Sequence, residues 1–463
     1  MNAVSAMILA LPILWGGLLI HLIWPEGRLP ILFFKAFLGI GIGLGLSSLL
    51  YFLYMLAFPT EHWFGYIQLA IFLSLLLVTI RLEIERARFS IPPWRLTSLQ
   101  GVFLAIAGLI FVITMLSTAS YLLRRRQGDW DAWMMFNRSA LFIYRDQAHW
   151  LASFSRQMDP IFHPDYPLLL AMNTAWGWDV TGNETAHVPM LQSALFALAC
   201  GGIMFSGLAS VQSPGQASLG LIVLWGTATL VNEGAREMAD LPMTFFILAT
   251  GILIYMYVLY QKPGLISLAG LTAGLAAWTK NEGLLFALVV VAGLLVAFLR
   301  NKPWRVLRWF VLGAAFPLAI VLYFKLFLAP PSDVLSNGLT RSIQQILELS
   351  RHREIVQYFV NEFLYFGHWS NVIGVLPILA FYLLLFRLPV RNELRGAYVA
   401  GITILLIQLL GDYAIYLITP YDLTWHLTYS IQRVVLQIFP LTAFLIFCVS
   451  RTPEMIFGPD SQN

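Results

Sequence analysis

The chain has 463 residues, 59% of them hydrophobic and only 11% charged, with a formal net charge of +4. A soluble globular chain carries roughly 25% charged residues, so this composition excludes a soluble enzyme. The lack of basic runs interleaved with aromatics argues against nucleic acid as a partner, and two cysteines inside apolar runs, Cys200 and Cys448, leave no disulfide framework or CxxC metal site.

Apolar runs measured against a hydrocarbon core of about 30 Å predict about thirteen membrane helices and no strands. In chain order they cover residues 3–24, 30–57, 63–80, 99–122, 187–210, 217–232, 240–260, 264–279, 283–300, 306–328, 372–387, 397–418 and 434–450. The first run lacks a preceding basic residue and is long enough to span, so it reads as a retained helix rather than a signal peptide. The chain divides into N-terminal helices (1–98), a membrane core (99–328) that includes a large loop at 123–186, a second loop (329–371), and C-terminal helices (372–463). No internal repeat is visible.

The most basic short connections are 81–89, 300–308 and 387–395, and alternation of the spans puts all three on one side. By the positive-inside rule that side is cytoplasmic. The two long loops, together with 232–242, 279–283 and 419–433, then face outward and carry nearly all the unusual polar residues. Any active site is expected on that face of a cell (plasma or inner) membrane.

In "GDWDAWMMFNRSALFIYRD" (128–146), Asp131, Arg138 and Arg145 recur every seven residues among apolar neighbours. This pattern predicts an amphipathic helix along the outer membrane surface, with Asp129 as its N-cap and Asp131 in its first turn. The two carboxylates would diverge from each other. Arg124, Arg125 and Arg126, just before it, read as cations at the interface that attract anionic head groups. "DPIFHPDYPLLLAMNTAWGW" (159–178) has Pro160, Pro164 and Pro167 to fix an extended path, and His163 and Asp165 resemble metal ligands only loosely.

"NEGAREMADLP" (232–242) crowds Asn232, Glu233, Arg236, Glu237 and Asp240 between two apolar runs, at spacings that allow local ion pairs. "WTKNEG" (278–283) offers Lys280, a compact cation suited to a phosphate oxygen, and Glu282. In "YDLTWHLTYSIQRVVLQIFP" (421–440), His426 and Tyr429 precede Arg433, which enters the last apolar run and needs an anion there: a ligand phosphate, or a carboxylate such as Asp412.

In their order and common sidedness these stretches resemble the GT-C superfamily of membrane glycosyltransferases. The similarity is to the group that includes protein O-mannosyltransferases and lipid A sugar transferases. "GDWDAW" resembles that family's acidic first-loop motif, "AREMADLP" its ADxP segment, "GLTAGLAAWTKNEGL" (270–284) its small-residue helix ending in Thr-Lys, and "SIQRVVLQIFP" its late Arg…Pro segment. The resemblance covers 99–300 and, more weakly, 420–440; three additional helices precede the family's core, and the soluble C-terminal domain of some members is missing.

The resemblance implies a GT-C-like, all-α polytopic fold and an inverting transfer of a hexosyl or pentosyl group. The donor would be a polyprenyl-phosphate sugar reaching the site through membrane lipid, and the acceptor a hydroxyl of a glycan, glycolipid or protein. It implies Asp131 as general base, with Asp129 and Asp240 assisting; Lys280, Arg433 and Arg236 on the donor phosphate; and Glu282, Glu233, His426, His163, Asp165 and Tyr166 around the substrates. No cofactor is required, and a divalent ion on Asp129 and Asp131 is compatible with the chemistry without being demanded by it. The competing expectation is a transporter or lipid flippase of cell-envelope assembly, for which Lys35, Lys325 and Asp412, within apolar runs, are the candidate charges.

Overall fold

The computed structural model describes residues 3–86, 96–155, 157–158, 162–299, 303–332, 338–370 and 372–457. Pro160 and parts of the basic connections 81–89 and 300–308 lie outside the described residues. The helices are α1 (Ala3–Ile23), α2 (Leu29–Ala57), α3 (Phe64–Arg86), α4 (Ser98–Arg124), α5 (Arg138–Arg145), α6 (Leu169–Thr181), α7 (His187–Val211), α8 (Pro214–Trp225), α9 (Ala228–Gly234) and α10 (Asp240–Tyr260). They continue as α11 (Pro263–Thr279), α12 (Glu282–Phe298), α13 (Pro303–Tyr323), α14 (Leu339–Leu347), α15 (Leu349–Tyr365), α16 (Val375–Phe386), α17 (Arg395–Ile418), α18 (Leu423–Cys448) and α19 (Pro453–Phe457). Among the described residues strand pairing is limited to one isolated bridge, Arg387 with Ser450.

Every apolar run predicted from sequence forms a helix, but fewer than thirteen can cross a bilayer alone. Among the described residues eight helices are long and apolar enough, and a ninth span arises if α8 and α9, bent by 69° at their junction, count as one. The chain is thus an all-helical integral membrane protein. Four further apolar stretches, Leu9–Ile23 within α1 and the helices α11, α12 and α16, are 10–17 residues long. Two of them, α11 and α12, have 17 residues each. At 1.5 Å per residue each spans only about 26 Å. The turn between them, Lys280–Asn281, therefore joins two helices shorter than the usual span of about 20 residues.

Lipid tails are as apolar as leucine, so close approach of backbones rather than water exclusion holds such helices together. Small residues provide that approach. A Cβ on Gly39 of α2 would meet Gly17 N of α1 at 2.9 Å, and one on Gly274 of α11 would meet Ala314 O of α13 at 3.3 Å. The most apolar stretch of α10 is 83% buried and that of α3 only 6%, so α10 forms the centre and α3 the lipid-facing edge. Buried polar groups are paired across helices: Trp15 Nε1 donates to Gln68 Oε1 (2.6 Å), Gln68 Nε2 to Ser47 Oγ (2.9 Å), and Trp278 Nε1 to Ser48 Oγ (2.9 Å).

The loop 123–186 is more folded than its prolines predict. After Pro167 the chain enters α6, whose residues Leu169–Trp178 are all buried. Asn173 Nδ2 of α6 donates to Leu44 O of α2 (3.1 Å), which pins the loop to the bundle. The predicted surface helix also differs: Ala132–Asn137 is π-helical, and regular α-helix begins only at Arg138. Its amphipathic character holds, with Ala132, Phe136, Ala140 and Ile143 buried while Trp130 and Trp133 are exposed. The second loop, 329–371, contains α14 and α15.

The two ends of the bundle differ. At one end the termini of α4, α7, α8 and α18 are latched by Glu454, which accepts from Ser213 Oγ (2.7 Å), Gly215 N (3.0 Å) and Gln100 Nε2 (3.0 Å). The other end bears both long loops and the polar stretches singled out above.

Candidate functional site

Four helix ends and two loops meet at the long-loop end. Gly128, at φ +72°, turns the chain out of α4, and Asp129 N then donates to Arg236 O (3.1 Å), which joins the first loop to the α9–α10 connection. Glu237, at φ +59°, makes the matching turn on the other side. A left-handed backbone is costly for glutamate, and such strain gathers where a site's geometry is over-determined.

Asp131, Asp240, Lys280 and Arg433 come together as the sequence reading requires. Arg433 Nη1 lies 2.5 Å from Asp131 Oδ2 and 3.5 Å from Asp240 Oδ2. Asp240 Oδ1 accepts from Lys280 Nζ (3.0 Å) and from Gln437 Nε2 (3.0 Å). Lys280 Nζ also lies 2.9 Å from Glu282 Oε1. The charges alternate along Asp131–Arg433–Asp240–Lys280–Glu282. Their positions suit the helix dipoles: Asp240 and Glu282 stand in the first turns of α10 and α12, and Lys280 caps the C-terminus of α11. Asp412, the alternative anion for Arg433, is not its partner; Asp412 Oδ1 accepts from Gln408 Nε2 (3.2 Å).

A second string runs beside the first. Asp129 lies 3.5 Å from Arg125 and 3.3 Å from Arg236, and Arg236 lies 2.6 Å from the buried Glu233. Asp129 does not cap the following helix as expected: its Oδ1 accepts from the neighbouring Trp130 N (3.0 Å) instead of from a backbone N–H two or three residues on. One arginine of the interfacial triplet is thereby committed to Asp129. Asp129 and Asp131 turn to different cations, as two-residue spacing dictates, and among the described residues no three His, Cys, Asp or Glu side chains gather as a metal ion requires. Glu237, at the bend between α9 and α10, is pushed up to about 8 by burial, against which the Asn137 amide contact at 3.4 Å acts weakly.

The proline-rich segment supplies the site's wall instead of a metal centre. Asp165 is buried and accepts from Asn281 Nδ2 (2.7 Å), with Lys325 Nζ 3.5 Å away. Lys325 also donates to Asp165 O and to Asn281 Oδ1. Asp165 thus fastens the loop to the α11–α12 turn that carries Lys280 and Glu282. His163, at φ +43°, packs tilted against Tyr166 with ring centroids 4.7 Å apart.

A cavity of about 80 Å³ opens beside the ion pairs, lined by Tyr166, Lys280, Glu282, Asp412, Ile415, Tyr416, His426, Ser430, Arg433 and Val434. His426 Nδ1 is 2.8 Å from Thr419 Oγ1, and Tyr416 Oη is 2.8 Å from Ser430 Oγ, so both aromatics are held against the rim. Sequence reasoning placed Lys280, Glu282, His426, Tyr166 and Arg433 among the site residues. It set aside Asp412 and Lys325 and overlooked Asn281 and Gln437. A lone ionisable group in an apolar run was the available signal for the first two. Glu233, Arg236 and Asp129 form their own string of ion pairs and do not line the cavity, whereas His163 touches it through Tyr166.

Chemically the arrangement offers two cations and two carboxylates on one cavity wall, with a third carboxylate, Asp131, on the far side of Arg433. Comparison of the chain with protein-family models, with curated proteins and with solved structures gave no match.

Proposed function

We propose that this protein is an inverting glycosyltransferase that moves a sugar from a polyprenyl-phosphate donor to an acceptor hydroxyl on the extracytoplasmic side of the membrane. The observation that carries the reading is the ion-pair string itself: Asp131, Asp240, Lys280 and Arg433, from four separate elements, are joined in one chain of charges, and its two cations line the cavity at the long-loop end. An acid beside two cations suits a reaction that takes a proton from a nucleophile while an anion departs.

On this reading Arg433 and Lys280 hold the phosphate of the donor. Arg433 Nε has no hydrogen-bond partner among the described residues and is one donor available to it. A phosphate on Arg433 competes with Asp131 for the guanidinium, and that competition releases Asp131 to act as base. The acceptor oxygen forms its bond to the sugar's anomeric carbon, the bond from that carbon to the phosphate oxygen breaks with its electron pair, and the acceptor proton passes to Asp131. Asp240 keeps the two cations in register. No cofactor enters these steps.

The bend between α8 and α9 is the feature that favours the other reading, a transporter or flippase, because broken spans line many transport sites. The absence of repeated halves weighs against it. Mass spectrometry of lipids co-purified with the protein decides between them: a polyprenyl-phosphate sugar that is turned over supports transfer, and lipid moved intact across vesicles without sugar release overturns it.

A further inference from the structure

Two carboxylates of the cavity are not explained by the phosphate site. Glu282 gives one oxygen to Lys280, and its Oε2 is buried with no hydrogen-bond partner. Asp412 is only 3% exposed; its Oδ1 accepts from Gln408, and its Oδ2 is likewise buried and unpartnered. Both residues line the cavity that Lys280 and Arg433 line. Asp412 lies six residues from the end of α17, about 9 Å below that end at 1.5 Å per residue.

A carboxyl oxygen left buried and unpaired inside a membrane protein is costly unless something completes it. Here the two residues that carry such oxygens line the same small cavity, so the completing group must bring at least two polar atoms. A metal ion does not fit: Lys280 stands 2.9 Å from Glu282, and among the described residues no third metal-ligating side chain joins the pair. Neighbouring hydroxyls on a ring present paired donors at the right scale, and Tyr416, His426 and Ser430 also line the cavity to accept or stack.

We propose that Glu282 and Asp412 form a subsite for the hydroxyls of a sugar ring, set beside the two cations. The subsite deepens the glycosyl-transfer reading and rests on it for the source of that ring, donor or acceptor. The division of labour is then spatial: cations take the charged end of a ligand, and the acid pair takes its polyhydroxylated end.

The test uses the full chain in phosphatidylcholine nanodiscs, free of sugar detergents, with wild type compared with Asp412→Asn, Asp412→Leu and Glu282→Gln. Asp412→Asn preserves shape, and melting curves check that each variant is folded. One arm titrates undecaprenyl phosphate with and without an attached mannose, glucose or arabinose. The other titrates the free methyl glycosides of the same sugars. A site built to hydrogen-bond hydroxyls should lose about tenfold or more in affinity for at least one sugar-bearing probe on losing Asp412, while undecaprenyl phosphate alone changes by less than about twofold. Preference in the lipid arm marks a donor sugar, and binding of free glycosides alone marks an acceptor. The subsite is overturned if no sugar-bearing probe outbinds its sugar-free counterpart, if the folded variants keep the wild-type preference, or if glucosamine outcompetes glucose and makes the pair a cation site. Failure of undecaprenyl phosphate to bind wild type, with glycosides still bound through Asp412, strikes the lipid-donor reading and leaves the subsite standing.

Discussion

Asp131 and Asp240 are both acids beside Arg433, yet their surroundings assign them different work. Asp131 has one ion-pair partner and is partly exposed, whereas Asp240 is buried and holds two cations and an amide. Asp131→Asn should therefore fold at normal levels and lose sugar transfer by about 10²-fold or more, measured as product per protein in matched membranes. Asp240→Asn should act on folding first. Removing the buried anion that pairs with Lys280 and Arg433 costs about 3–5 kcal/mol, so a clear drop in melting temperature and in the monodisperse fraction is expected. Glu237 gives a pH signature. Its carboxyl sits at about 8 in the folded chain against 4.5 ordinarily, because burial opposes its charge. Between those values the folded state keeps a proton that the unfolded state releases, so stability falls as pH rises through the window. Melting temperature followed from about pH 5 to about pH 9 should decline more steeply in the wild type than in Glu237→Gln.

At the level of elements, the long apolar runs were plain in the sequence because a membrane helix satisfies its own backbone and needs only apolar side chains. The charges that interrupt them were equally plain: Arg433 and Lys280 stand out because a cation there is costly, and their partners had to be nearby. Other features were not legible. The α6 run after Pro167 is too short to span, so it read as loop; its helix is set by packing on α2, which no local pattern encodes. The pairing of Asp165 with Lys325 joins residues 160 positions apart and gave no periodic signal. The π-helical turn at Ala132–Asn137 likewise has no sequence mark, although such turns recur at functional sites. The turn feeding it is testable. Gly128 has φ +72°, and a Cβ there would meet the Glu237 Cβ at 2.9 Å. Gly128→Ala combines backbone strain with that clash and should destabilise by about 1–3 kcal/mol, read as a lower melting temperature, with loss of activity beyond what the fall in folded protein explains.

For the molecule as a whole, sidedness can be measured without altering the background. Cys200 and Cys448 are both buried, so a membrane-impermeant maleimide should leave the parent chain unlabelled. Trp130→Cys, exposed at the long-loop end, should be labelled from the extracytoplasmic side of intact cells. Arg391→Cys, exposed at the opposite end, should label only after the membrane is opened. The reverse pattern would turn the cavity toward the cytoplasm and remove the proposed donor route. The short helices carry a last consequence. Leu288 and Val296 of α12, and Leu384 and Leu385 of α16, are exposed on segments of 17 and 12 residues, so these faces meet lipid along less than a full bilayer thickness. Hydrophobic mismatch of this kind draws the surrounding leaflets inward. On the proposed reading, an annulus thinned beside these helices would lower the donor's head group toward Lys280 and Arg433.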